Sequence, residues 1–194
     1  NMGLPICLFA YGKLGLGVAS AISAVIIISH FTIGIFLASK KISFKVLLES
    51  TPVYAVLVAV TFLYFNIQPP KFIENTAFLL AYSTIALILM SLGIALTKLK
   101  VFSFKNAIIS TFARLILGPL VAFGLIYLFD LKGVPAGVLF IQCSMPSAII
   151  TYLVGSMYSS KKVVNNIAST IVMSTVVSFL TIPIIVFISL KYFF

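Results

Sequence analysis

Long apolar runs alternate with short lysine-bearing breaks along the whole chain. Residues 15–38 carry no charged side chain over 24 positions, about 36 Å as a helix and enough to cross a ~30 Å hydrocarbon core. Lys40, Lys41 and Lys45 follow. A shorter run over 52–66 starts at Pro52, which a first helical turn tolerates, and extends back toward Val46. Gln68-Pro69-Pro70-Lys71 is a clear break. The pattern predicts further spans over 73–97, 106–129, 134–158 and 165–190. The span 106–129 contains Arg114 and Pro119, 134–158 has Met145-Pro146 at its middle, and 165–190 contains Pro183. The predicted fold class is therefore an all-α polytopic membrane protein.

Composition agrees. Of 194 residues 62% are hydrophobic and only 8% charged, with mean hydropathy +1.25, whereas a soluble domain carries roughly a quarter charged residues. The net charge of +10 would suggest nucleic acid on a soluble protein. Here the cations sit between apolar runs, where membrane topology puts them, so the partner is the lipid bilayer and not nucleic acid. Alternate loops divide the lysines unequally. One set holds Lys40, Lys41, Lys45, Lys98, Lys100, Lys105, Lys161 and Lys162; the other holds Lys13, Lys71, Lys132 and Lys191. The positive-inside rule then makes loops 39–50, 98–105 and 159–164 cytoplasmic in a multi-pass cell-membrane protein, with the C-terminus outside. Cys7 and Cys143 form no pattern and read as buried free thiols. The start at Asn1 reads as a point inside a longer protein.

The chain also repeats itself. Residues 19–38 align without gaps on 168–187, with 7 of 20 positions identical, among them Ala19/Ala168, Ser20/Ser169 and Ser29/Ser178. Each helix follows a proline-centred break, Met2-Gly3-Leu4-Pro5-Ile6 in one case and Cys143-Ser144-Met145-Pro146-Ser147 in the other. The lysine bias gives the two helices opposite directions, the sign of an inverted repeat, and paired interrupted helices point to a transporter binding site.

Proline removes a backbone N–H and clashes with the carbonyl four residues back. In lipid the freed groups need partners, so such a break faces protein or water. The half-helix after it opens with unpaired N–H groups and a positive dipole end; the half before it ends in free carbonyls. Two such breaks side by side suit a small anion on the N–H ends. Asn1, Gln142, Ser144 and Ser147 add neutral donors and acceptors. Ordinary proline kinks are the competing structural reading.

These residues resemble a family. Asn1-Met2-Gly3-Leu4-Pro5-Ile6, with Phe9 and Gly12, is similar to the crossover of auxin efflux carrier family transporters. Gln142, Met145-Pro146-Ser147-Ala148, Tyr158, Ser174-Thr175 and Thr181-Ile182-Pro183 resemble their second crossover and last helix. The resemblance implies a secondary transporter of two inverted five-helix repeats, with helices 4 and 9 broken and crossing, in a sodium/proton-antiporter-like or bile-acid-symporter-like fold. It makes residues 1–38 the end of the first repeat, 39–50 a cytoplasmic linker and 51–194 the second repeat, helices 6 to 10. It also implies a small carboxylate as substrate, bound by Asn1, Gly3, Pro5, Gln142, Ser144, Met145, Pro146 and Ser147. H+ or Na+ as coupling ion and a homodimer are left open as partners. A sodium-coupled bile-acid-symporter-type carrier and a non-transporting sensor module are the alternatives.

Arg114 lies about 13 Å into its span and reads either as a snorkelling side chain or as a contact on the anion path. His30 reads as a core or interfacial residue, because its repeat partner is Phe179. Gly34, Gly93, Gly118 and Gly124 read as close-packing positions. Residues 42–48 fit either a short amphipathic helix or a linker. No catalytic set, metal cluster or phosphate loop occurs, so the sequence predicts no enzyme, no metal and no cofactor.

Overall fold

The computed structural model describes residues 2–39, 51–65, 67–98, 101 and 103–193. Asn1 and the linker residues 40–50 lie outside that set. Every regular element among the described residues is a helix. Helix α1 is Gly3–Ser29, followed by a π-helical turn His30–Gly34 and α2, Ile35–Ser39. Then come α3, Thr51–Tyr64; α4, Lys71–Lys98; and α5, Phe104–Leu128. Helices α6, Val134–Cys143, and α7, Ile149–Tyr158, precede the long α8, Lys161–Phe193.

Two features depart from straight spans. Helix α1 is broken at Gly12, whose φ of 63° and ψ of −152° are open to glycine and strained for any other residue. It thus consists of a short arm, residues 3–11, and a long arm, residues 13–29. The apolar stretch 134–158 is two ten-residue helices, because backbone 144–148 is not helical. Pro146 accounts for this: it has no N–H to donate and disfavours helical backbone at Met145. Pro119 and Pro183, by contrast, sit inside continuous helices.

Three stretches among the described residues are long and apolar enough to cross a bilayer: Gly3–Ala38, Phe104–Leu128 and Lys161–Phe193. Helix α3, at 14 residues, is about 21 Å long and falls short by itself.

The packed part of the molecule joins α1 to α6, and α5, α6 and α7 to α8. Cys7, Tyr11, Ala19, Val138, Ile141 and Met145 form its core, covered by Met2, Leu4, Ile182 and Ile185 among others. Glycines set the closest approaches. A Cβ at Gly118 would run into the Cys143 carbonyl, and one at Gly137 into the Tyr11 hydroxyl. Gly93 and Gly124 face open space and Gly34 has only ordinary contacts, so of the four expected close-packing glycines only Gly118 is one. Tyr11 and Ser189 share a hydrogen bond of 2.7 Å, and Ser189 donates to the Gly137 carbonyl at 3.0 Å, tying the short arm of α1 to α8 and α6.

The repeated residues are not equally placed. Ala19 and Ala168 are both buried, but Ser20 is exposed where Ser169 is fully buried. The neighbours differ: α8 packs on α5, α6 and α7, while α1 packs on α6 and α3.

Candidate functional site

The end of α6 meets the start of α1. Gly3 lies against the Gln142 side chain so closely that a Cβ there would collide with Oε1. Gln142 is 8% exposed and spans the two elements. Its amide nitrogen is 3.4 Å from both the Ala19 carbonyl and Ser23 Oγ, long distances for such bonds. The glycine thus lets a polar side chain reach the seam between α1 and α6.

Beyond Gln142 the chain opens. Ser147 N–H donates to Ser174 Oγ at 3.2 Å, which holds the break against α8. Ala148 caps α7 with extended backbone and no side-chain cap bond. Ala148, Ile150 and Thr151 border a cavity of about 350 Å³, so the first turn of α7 lies at its wall; the Thr151 N–H is already given to the Ala148 carbonyl at 3.1 Å, which leaves those of Ile149 and Ile150 as the turn's free intrahelical donors. Gly3, Gln142, Met145, Pro146 and Ser147 line the same space.

The remaining sequence-predicted residues stand elsewhere. Asn1 is outside the described residues. Pro5 is buried in the short arm of α1 and off the cavity wall. Ser144 is also off the wall, because its hydroxyl donates to the Phe140 carbonyl at 2.6 Å and its side chain is fully buried. Helix continuation satisfies it first, the usual fate of a serine four residues after a free carbonyl.

Arg114 lines the cavity from α5 and has no hydrogen-bond or ion-pair partner among the described residues. It also borders a wider apolar groove of about 550 Å³ between the long arm of α1 and α5, with Ile26, His30, Gln142 and Cys143. Ser29 lies on that groove too and donates to the Val25 carbonyl, so it is not remote from the crossing.

Sequence reasoning missed His30, Ser23 and Thr151 as cavity residues. His30 opens the π-helical turn, and its Nδ1–H donates to the Ile26 carbonyl at 2.8 Å. The ring nitrogen Nε2 is 3.5 Å from Thr151 Oγ1. The signal available was an ionisable residue within an apolar span; the repeat comparison with Phe179 outweighed it.

A cavity at the end of an interrupted apolar helix, walled by one cation, one histidine and neutral polar groups, has the makings of a small-ligand site in a membrane protein. Comparison with known proteins decides the family. The chain matches the membrane transport protein family over residues 35–186. It belongs to that family, the auxin efflux carrier family. An uncharacterized transporter of Methanocaldococcus jannaschii is 29% identical over 191 residues, with 93% of this chain and 61% of that protein covered. The chain thus spans less than two thirds of that relative's length. No solved structure matches it. Membership places the chain in a family of multi-pass membrane transport proteins, not of enzymes.

Proposed function

We propose that the chain forms the crossing-helix part of a secondary-active or facilitative carrier that moves a small organic anion by alternating access. The site is the cavity between the start of α1 and the α6–α7 break. The two segments act as the broken helices of an inverted repeat, with 1–38 closing the first unit and 51–194 forming the second. A small carboxylate, malate-like or auxin-like in size, is the substrate class.

One observation carries this reading. The Gln142 side chain, close against Gly3 and with only long 3.4 Å bonds to Ala19 and Ser23, shares a cavity of about 350 Å³ with the first turn of α7 and the Arg114 guanidinium, which has no partner among the described residues. That volume suits a small ligand. A helix N-terminus and a guanidinium both favour a carboxylate over a cation. No acid lines the cavity among the described residues, which favours this reading over a sodium-coupled carrier of the bile-acid-symporter type.

The test is carboxylate uptake by the full-length protein in proteoliposomes. Gln142→Ala should weaken apparent affinity roughly tenfold, about one charge-assisted hydrogen bond. Arg114→Lys should also fail to restore full affinity, because the planar fork is lost. Unchanged affinity in both variants would place the site elsewhere. For orientation, cysteines near Lys98 and Lys161 should label only from the cytoplasm, and those near Lys71 and Lys132 only from outside; cytoplasmic labelling of the Lys71 loop would reverse the topology.

A further inference from the structure

The carrier reading leaves His30 without a role, yet His30 borders both the cavity and the adjoining groove, as do Arg114 and Gln142. Its tautomer is fixed by its surroundings. The Ile26 carbonyl can only accept, so Nδ1 carries the proton and Nε2 is the basic nitrogen of the neutral ring. Among the described residues, Nε2 meets only the Thr151 hydroxyl, at a long 3.5 Å. It therefore has room to take up a proton and turn into a donor.

The groups that face His30 fix what that proton would meet. Helix α5 presents Arg114 to both spaces, and α6 presents Cys143 on the groove side. Helix α7 presents Thr151 but neither of its tyrosines, Tyr152 and Tyr158, to the cavity. The long arm of α1 presents Ser23 to the cavity and Ser29 to the groove; α2 carries no titratable residue. No carboxylate among the described lining residues compensates a second positive charge. A carboxylate bound in the cavity would supply that compensating charge.

Resting on the carrier reading, we propose that His30 is an anion-binding residue whose protonation is linked to substrate: a carboxylate entering the cavity is held by Arg114 and by Nε2–H of a His30 that takes up one proton from water, and its departure returns that proton. The bond formed is Nε2–H and the proton comes from, and goes back to, the aqueous phase. A monovalent anion then binds with no change in the net charge of the site. Linkage gives the sign. Because the bound form holds more protons, anion affinity is greatest below the imidazole range and falls as pH rises through it.

The experiment is uptake of L-malate and of indole-3-acetate by full-length protein in proteoliposomes between pH 5.5 and 8.0. Wild type and His30→Gln are compared, and folding of both is checked by size-exclusion profile. In wild type the apparent affinity for the transported probe should weaken about tenfold over that range, and His30→Gln should be flat at the weaker level. In parallel, NMR of the His30 ring in micelles should show the ring taking up a proton when that probe is added. A flat wild-type profile, a His30→Gln profile that still falls, or a ring unmoved by the transported probe would overturn the role of His30 while leaving the carrier reading in place. If wild type moves neither probe at any pH, the carrier reading for these carboxylates fails, and this inference with it.

Discussion

Helices α4 and α8 are both long, apolar and sprinkled with serine and threonine, yet they are used in opposite ways. No described residue of α4 is buried. Its hydroxyls turn inward on their own helix: Thr76, Ser83 and Thr84 each donate to the carbonyl four residues back. In α8, Ser169, Ser174, Thr175, Ser178 and Ser189 are all fully buried. Several of these also reach other elements. Ser174 takes the Ser147 N–H at the helix break, Ser169 takes the Ser103 N–H at 3.4 Å, and Ser189 meets Tyr11. The contrast teaches that in a membrane chain apolar side chains do not mark the core. Lipid is as apolar as leucine, so helices associate through small residues and through polar groups that need partners.

That difference can be broken experimentally, and the largest effects belong to the glycines. Gly118→Ala puts a methyl against a backbone carbonyl that cannot swing aside, and Gly137→Ala puts one against Tyr11 and Ser189. Each should destabilise the full-length protein by about 1–3 kcal/mol in reversible denaturation. Gly93→Ala and Gly124→Ala, in open helix surface, should be neutral or stabilising by up to ~1 kcal/mol. Equal losses at all four would erase the distinction between the packed and exposed regions.

Serine substitution comes next. Ser174→Val leaves the Ser147 N–H without its partner and should cost about 1–3 kcal/mol. Ser83→Val removes only a bond within its own helix and should change stability by less than ~0.5 kcal/mol. Smaller still is Tyr11→Phe, where loss of the Ser189 bond should cost about 0.6 kcal/mol and no more than ~1.7 kcal/mol. The smallest effect has the opposite sign. Thr175 Oγ1 is buried with no hydrogen-bond partner among the described residues, so Thr175→Val should be neutral or slightly stabilising. A loss above ~1 kcal/mol there would mean that the hydroxyl has a partner after all.

Much of this architecture was legible in the sequence. Of the six apolar runs read as spans, 15–38, 106–129 and 165–190 correspond to the three described stretches long and apolar enough to cross a bilayer, and Met145-Pro146 gave the interruption, because proline's missing N–H acts locally and needs no neighbours to be understood. The Gly12 break was not legible. A glycine in an apolar run also fits a continuous helix, and only the return of the chain onto Cys7 and Tyr11 at Gly15 demands the turn. At the cavity, Gly3, Gln142 and Pro146 could be named from the break motifs. Ser144 could not be separated from Ser147 by type, since one bonds its own helix and the other lends its N–H to α8. His30 was missed because its importance comes from α5 and α7, which approach it from more than 80 positions away in sequence.

The central claim is that the α1–α6–α7 cavity holds the transported anion, and site protection tests it most directly. Ser147→Cys would be introduced with Cys7 and Cys143 replaced by alanine, and its modification by a charged thiol reagent timed with and without transported carboxylate. At ten times its Kd the carboxylate should slow modification about tenfold, while a Ser83→Cys control on α4 keeps its rate. Equal modification rates at Ser147→Cys with and without carboxylate, in a protein that still transports it, would contradict the account.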